Sequence, residues 1–154
     1  MIGSEVQSVL LRPADPASLV TALTEAFAGG RPVAPLPEAE VERRAVLEML
    51  SLPTPVAEPD AAAVVATSGS TGRPKGVVLS RAAIAASVTA THARLGGPGD
   101  WVLALPGHYV AGLMVIARTV LAGTQLHRAA PDLGNLAAVA ERMSGRRYLS
   151  LVPT

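Results

Sequence analysis

The chain is predicted to be an α/β protein in which strands and helices alternate along a mainly parallel sheet. From Ala61 onward, short apolar runs rich in valine alternate with segments whose apolar residues recur at helical spacing. Serine, glycine and proline stand at the junctions between them, as parallel β-α-β units require. Composition agrees: 154 residues with 49% hydrophobic and 16% charged content suit one folded domain with a core.

The first 60 residues read as a helical and extended lead-in. Val9, Leu10 and Leu11 are strand candidates after a weak start. Asp15-Pro16 is an N-cap followed by proline at the first helical position, and Gly29-Gly30 ends that helix. Between those limits Leu19, Val20, Leu23 and Phe27 share one face. Prolines make residues 32–37 extended. Residues 38–50 form a charged amphipathic helix with Val41, Ala45 and Met49 on its apolar side, and a proline-rich connector over 53–59 follows.

Residues 61–154 read as the start of an α/β domain. A core strand over 61–66 precedes a polar loop, and Val77-Val78-Leu79 is a second strand. Ser80 caps a helix from 81 to about 94, turned by residues 96–100. A strand over 101–105, a helix over 109–122 stopped by Gly123, a strand over 124–127 and a helix over 133–143 come next. The last element is an apolar strand over 148–152, which in such a sheet should feed another covering helix. The chain is therefore expected to be the front part of a longer protein.

Several function classes are disfavoured. A net charge near +1 offers nucleic acid or an anionic membrane no electrostatic footprint. The lack of cysteine excludes a disulfide framework, a thiolate metal site and a cysteine nucleophile, and no metal-ligating cluster is expected. No signal-peptide pattern precedes Glu5, and the apolar run over 109–123 is short and contains Arg118. A soluble, cytoplasmic protein without a nucleic-acid or membrane partner is expected. Oligomeric state, a homo-oligomer included, stays open.

The chemistry concentrates in Thr67-Ser68-Gly69-Ser70-Thr71-Gly72-Arg73-Pro74-Lys75-Gly76. Gly69, Gly72 and Gly76 permit close backbone approach, so amides can converge on an anion. Ser68, Ser70 and Thr71 add neutral donors, and Lys75 adds a compact charge suited to phosphate. Lys75 is the only lysine, in a chain whose other Lys-or-Arg positions are all arginine. A polar hairpin loop without ligand is the plain alternative. A Walker-type loop does not fit, because Lys75 follows proline, precedes glycine and leads into a strand rather than a helix.

This stretch resembles the phosphate-loop signature of adenylate-forming enzymes, the superfamily of acyl-CoA synthetases, adenylation domains and luciferases. The resemblance implies a mobile loop between two strands, with Thr67, Ser68, Gly69, Ser70, Thr71, Gly72 and Lys75 around the phosphates of ATP. A second segment, L-P-G-H-Y-V-A-G-L over 105–113, sits where a strand gives way to a helix, the place where open α/β sheets collect ligands. By itself His108 could simply cap that helix. Its similarity to the family's P-x-x-H-x-x-G segment implies a place beside the acyl group and the adenylate. Arg118 could pair with a substrate carboxylate, although a long arginine in an apolar helix more often reaches the surface. His92 and His127 show no partner pattern, and Trp101, Tyr109 and Tyr148 read as core or strand residues.

A short front of 66 residues before the loop, with R-L-G-G-P-G-D-W and G-R-R-Y-L-S-L-V-P-T further on, resembles the actinobacterial o-succinylbenzoate–CoA ligase branch. That branch implies activation of a small-molecule carboxylate with ATP and Mg2+ to an acyl-adenylate, then transfer to CoA, in menaquinone synthesis. The segments that this family uses for adenine, ribose and its C-terminal catalytic lysine are not among these residues. Residues 1–154 are thus expected to be an incomplete enzyme, inactive by themselves. The alternatives are a non-catalytic module that binds nucleotide or a partner chain, and a ligase for another aryl or fatty acid.

Overall fold

The structure is a computed structural model that describes residues 8–50, 56–68 and 74–152. β1 (Leu10–Pro13), β2 (Val33–Leu36), β3 (Ala61–Ser68) and β4 (Pro74–Ser80) form one sheet in that order. β1, β2 and β3 run parallel, and β4 returns antiparallel to β3. β5 (Asp100–Leu103) is the centre of a second, fully parallel sheet, between β6 (Leu126–Arg128) and β7 (Arg147–Leu149). The expected α/β alternation is present, with strands divided between two sheets. The lead-in supplies β1 and β2, and Val33 of β2 pairs with Ala63 across the connector.

Helix ends follow local chemistry. The Asp15 carboxylate accepts from Ser18 N at 2.9 Å, opening α1 (Pro16–Phe27) with proline in its first turn. Ser80 Oγ accepts from Ala83 N at 3.0 Å, starting α3 (Arg81–Leu95), and Gly96 closes it in the left-handed region at φ 84°. Gly123 ends α4 (Val110–Ala122) in the same way at φ 65°.

Side chains that alternate along the strands feed three packed regions. Ala63 and Val65 of β3, with Trp101 and Leu103 of β5, face the main core built by α1, α3 and α4. Val64 faces the other way, against Ala34 and the Val46 and Leu50 side chains of α2 (Glu40–Leu50). Val102 packs on Val139 and Met143, beneath α5 (Leu136–Arg142). Both sheets are therefore covered on both faces, as parallel strands demand.

Three expectations need correction. In α2 the buried residues are Val46 and Leu50; of the expected face Met49 packs beside them, whereas Val41 is 83% exposed. Two stripes of four-residue spacing compete there, and the helix seats the one whose Val46 and Leu50 meet Val64 and Ala34. α5 begins three residues later than expected. Leu133 takes φ 59°, Asp132 Oδ1 accepts from Gly134 N, and Asn135 Oδ1 accepts from Ala130 N, so this stretch is a turn. β7 stops at Leu149, and Leu151 and Val152 beyond it are exposed. The connector residues 51–55 lie outside the described residues.

Candidate active site

Lys75 belongs to β4, directly opposite Thr67 of β3, in an antiparallel hairpin whose register runs from Ala61↔Ser80 to Ser68↔Pro74. A strand, not a helix, follows the motif: β4 continues through Val77, Val78 and Leu79. Directly opposed residues put their side chains on one face, so Thr67 and Lys75 stand together. Thr67 Oγ1 donates to the Lys75 carbonyl at 3.2 Å and pins the stalk of the loop. Lys75 is exposed to solvent. The other face of the stalk sits on α2, where a Cβ at Gly76 would come 2.8 Å from Met49 Sδ. Gly69, Ser70, Thr71, Gly72 and Arg73 lie outside the described residues, as do the side chains of Ser68 and Pro74.

β3 runs parallel to β1 and β2, so its carboxyl end lies on the side where residues 14–16 and 38–42 follow those strands. There a cleft of about 310 Å³ opens. Its walls are Ala14, Asp15 and Pro16 after β1, Glu38, Ala39 and Glu42 beyond β2, residues 103–108 of β5 and its loop, and Arg128, Ala129 and Pro131 around the end of β6. Each contribution comes from the carboxyl end of a parallel strand, the usual ligand position in open α/β sheets.

His108 lies in this cleft on the loop between β5 and α4, as its place in the sequence predicts. The loop is shaped by glycine: a Cβ at Gly107 would lie 2.5 Å from Leu19 Cδ1 and 3.0 Å from the Ala14 carbonyl. Gly107 thus lets the loop backbone sit close to the residues that open α1. The His108 ring packs on Tyr109 with centroids 4.2 Å apart, and Tyr109 itself is half exposed rather than core. His108 Nε2 is buried with no hydrogen-bond partner, and the Glu42 carboxylate is 3.8 Å away. Burial holds the imidazole pKa below its ordinary value, while Glu42 and Glu38 pull it back up. Desolvation wins, so the ring is neutral at pH 7.

Glu38, Glu42, Asp15 and Arg128 line the cleft although sequence reasoning singled out none of them as site residues. Glu42 had a signal: it stands four residues before Val46 and eight before Leu50, on the stripe that proves to be buried. Choosing the Val41 stripe hid it. At the rim, hydrogen bonding from Ser18 keeps the Asp15 carboxyl below the usual carboxylate range.

The remaining polar side chains serve the framework. Arg118 is half-buried; its guanidinium carbon rests 4.6 Å from the Trp101 ring centroid, with Nε buried and without a hydrogen-bond partner. His127 Nε2 lies 3.7 Å from the buried Asp100 carboxylate. Among the described residues no group of three or more His, Asp or Glu gathers to hold a metal ion. Among them, too, no helix is long and apolar enough to cross a membrane.

Comparison with known proteins places the chain in a family and a fold. Over 98 residues the chain is 51% identical to a Mycobacterium tuberculosis protein described as "Probable 2-succinylbenzoate–CoA ligase". The match takes in 60% of the chain and 26% of that relative, so the chain spans about a quarter of the relative's length. In fold it is similar to the Bacillus subtilis o-succinylbenzoate CoA synthetase MenE, solved with the acyl-adenylate OSB-AMP, at TM-score 0.60 and 17% identity. That alignment covers 96% of this chain and 56% of the synthetase. It is also similar to the N-terminal subdomain of Klebsiella oxytoca NpsA, at TM-score 0.56 and 17% identity, over 90% of this chain and 53% of that one. The fold is accordingly that of the N-terminal subdomain of adenylate-forming enzymes. The family description "AMP-binding enzyme" fits residues 5–154, nearly the entire chain, and the chain belongs to that family.

Proposed function

We propose that these residues are the front part of an ATP-dependent, AMP-forming acid–CoA ligase whose acid is o-succinylbenzoate, acting in cytoplasmic menaquinone synthesis. The observation that carries the reading is the hairpin itself: two antiparallel strands bracket T-S-G-S-T-G-R-P-K-G, with Thr67 and Lys75 facing each other at its stalk. The choice of acid rests on the 51% identity to the mycobacterial relative.

In the first half-reaction a substrate carboxylate oxygen attacks the α-phosphorus of ATP, and pyrophosphate leaves. Charge grows on the departing phosphates, so donors already aimed at them lower the barrier. Thr67, Ser68, Gly69, Ser70, Thr71 and Gly72 would supply hydroxyl and amide donors, and Lys75 the compensating charge. Magnesium suits this arrangement without a cage of protein carboxylates, because it is commonly held by phosphate oxygens and water, and it would neutralise phosphate charge. In the second half-reaction the CoA thiol displaces AMP from the acyl carbon. His108, neutral and sheltered in the cleft, would line the acyl pocket.

The test is acid-dependent exchange of pyrophosphate into ATP, in the polypeptide that joins this chain to the further length its relatives have. Exchange should be strongest with o-succinylbenzoate, and weak with benzoate or a fatty acid. Exchange driven best by another acid would overturn the substrate, and none with any acid would overturn the ligase reading.

A further inference from the structure

We propose that Glu42 is the positioning residue of His108, holding a proton on Nε2 and leaving Nδ1 as the ring's free acceptor. This deepens the acyl-pocket reading of the same cleft and concerns what His108 can present to a ligand there.

Three observations carry it. First, His108 Nε2 is buried without a hydrogen-bond partner, an arrangement that is destabilising unless an acceptor or donor closes on it. Second, the Glu42 carboxylate is 3.8 Å from that nitrogen, and the Glu42 side chain is 56% exposed, hence free to close the gap by a change of rotamer. Third, the backbone of Glu42 is held. Val46 and Leu50 follow it at four-residue steps and are locked against Val64 and Ala34, so α2 cannot turn the carboxylate away.

The other groups around the ring do not offer the same contact. Glu38, from the residues leading into α2, acts on the imidazole charge in the same sense as Glu42 but only after it in strength. The Asp15 carboxylate at the start of α1 is engaged by Ser18 N. Arg128, at the end of β6, is exposed, and as a permanent donor it cannot accept a proton from Nε2. Tyr109 packs against the ring at a tilt of 51° and offers it no carboxylate. A carboxylate facing one nitrogen selects the tautomer protonated there, and the lone pair is left on the other.

Histidine-detected 15N NMR on the 154-residue chain tests this, with His108→Gln to assign the signal. No nucleotide, acid or thiol is present, so the result is independent of ligase activity. Wild-type His108 should show the Nε2–H tautomer at pH 7.5. Glu42→Gln should keep that tautomer, since its amide oxygen still accepts, while the imidazole pKa moves further down. Glu42→Leu should lose the tautomer preference as well, with the amide signals of Val46 and Leu50 in place. An Nδ1–H tautomer in the wild type, or a Glu42→Leu spectrum and titration matching the wild type, would overturn the proposal.

Discussion

Arg81 Nε donates to the Ala26 carbonyl at 2.6 Å and thereby ties the start of α3 to the end of α1. The same guanidinium donates to Gly30 O at 2.8 Å and lies 3.4 Å from the Asp60 carboxylate. Ala26 is in the last turn of its helix, where carbonyls lack intrahelical partners and a cation is favourable. One planar fork therefore joins three chain segments that are remote in sequence.

Arg81→Ala should destabilise the chain by about 1.5–3 kcal/mol, the range for buried charge-assisted hydrogen bonds. Arg81→Lys should recover only part of this, because a single ammonium cannot span two carbonyls as the guanidinium does. Urea unfolding measures both variants. A loss for alanine below about 0.5 kcal/mol would show that the contacts carry no net stability.

Asp100 gives the chain an acid-sensitive joint. Burial pushes its carboxyl pKa up, but hydrogen bonds from Gln125 N at 2.9 Å and Ser144 N at 3.2 Å, with His127 nearby, outweigh burial and hold it below the ordinary value. A depressed folded-state pKa contributes stability above the unfolded value, near 3.9, and that contribution is lost as pH falls through the folded one. Asp100→Asn should therefore be less stable than wild type at pH 7, by about 1–3 kcal/mol, and the difference should shrink below about pH 4. A gap that stays constant from pH 7 to pH 3 would remove the carboxylate from the explanation.

Gly107 of the cleft and Gly112 of α4 should respond differently to alanine. At Gly112, in the first turn of α4, the added Cβ would come 2.7 Å from Pro106 C and 3.0 Å from the Leu105 carbonyl, both backbone atoms. At Gly107 the tightest contact is the movable tip of Leu19, with the Ala14 carbonyl at 3.0 Å. Alanine in a helix is otherwise favoured over glycine by about 1 kcal/mol. Gly112→Ala should nevertheless destabilise, by about 1–3 kcal/mol, and by more than Gly107→Ala. Paired denaturation curves decide, and a stabilising Gly112→Ala would contradict the packing.

Within the ligase reading, Lys75→Ala should slow adenylate formation by about 30- to 1,000-fold, the effect of removing about 2–4 kcal/mol of transition-state stabilisation. Transfer of a preformed adenylate to CoA should be largely spared, because pyrophosphate takes part only in the first step. Lys75→Arg should rescue only partly. Single-turnover kinetics of each half-reaction separate the cases. Equal losses in both would assign Lys75 a general structural role.

Local chemistry made most of the elements legible in the chain itself. Asp15, Ser80, Gly96 and Gly123 punctuate helices through bonds that involve only near neighbours: α1 begins at Asp15, α3 runs between Ser80 and Gly96, and α4 ends at Gly123. The strand after Lys75 could be read because Val77-Val78-Leu79 favours extended backbone. His108 could be placed at a strand-to-helix junction from order alone.

Distance in sequence set the limit. Which stripe of α2 is buried depends on Val64 and Ala34, and nothing within the helix ranks Val46 above Val41. Glu42 entered the cleft with that choice. Arg118 lies on Trp101 because α4 packs against β5. By itself the sequence determined the alternation of elements, most of their caps and the strand that follows Lys75, since these arise between residues a few positions apart. Only the tertiary structure decided how the strands divide between two sheets and which carboxylate meets His108, because packing between distant segments selects among faces that are locally equivalent.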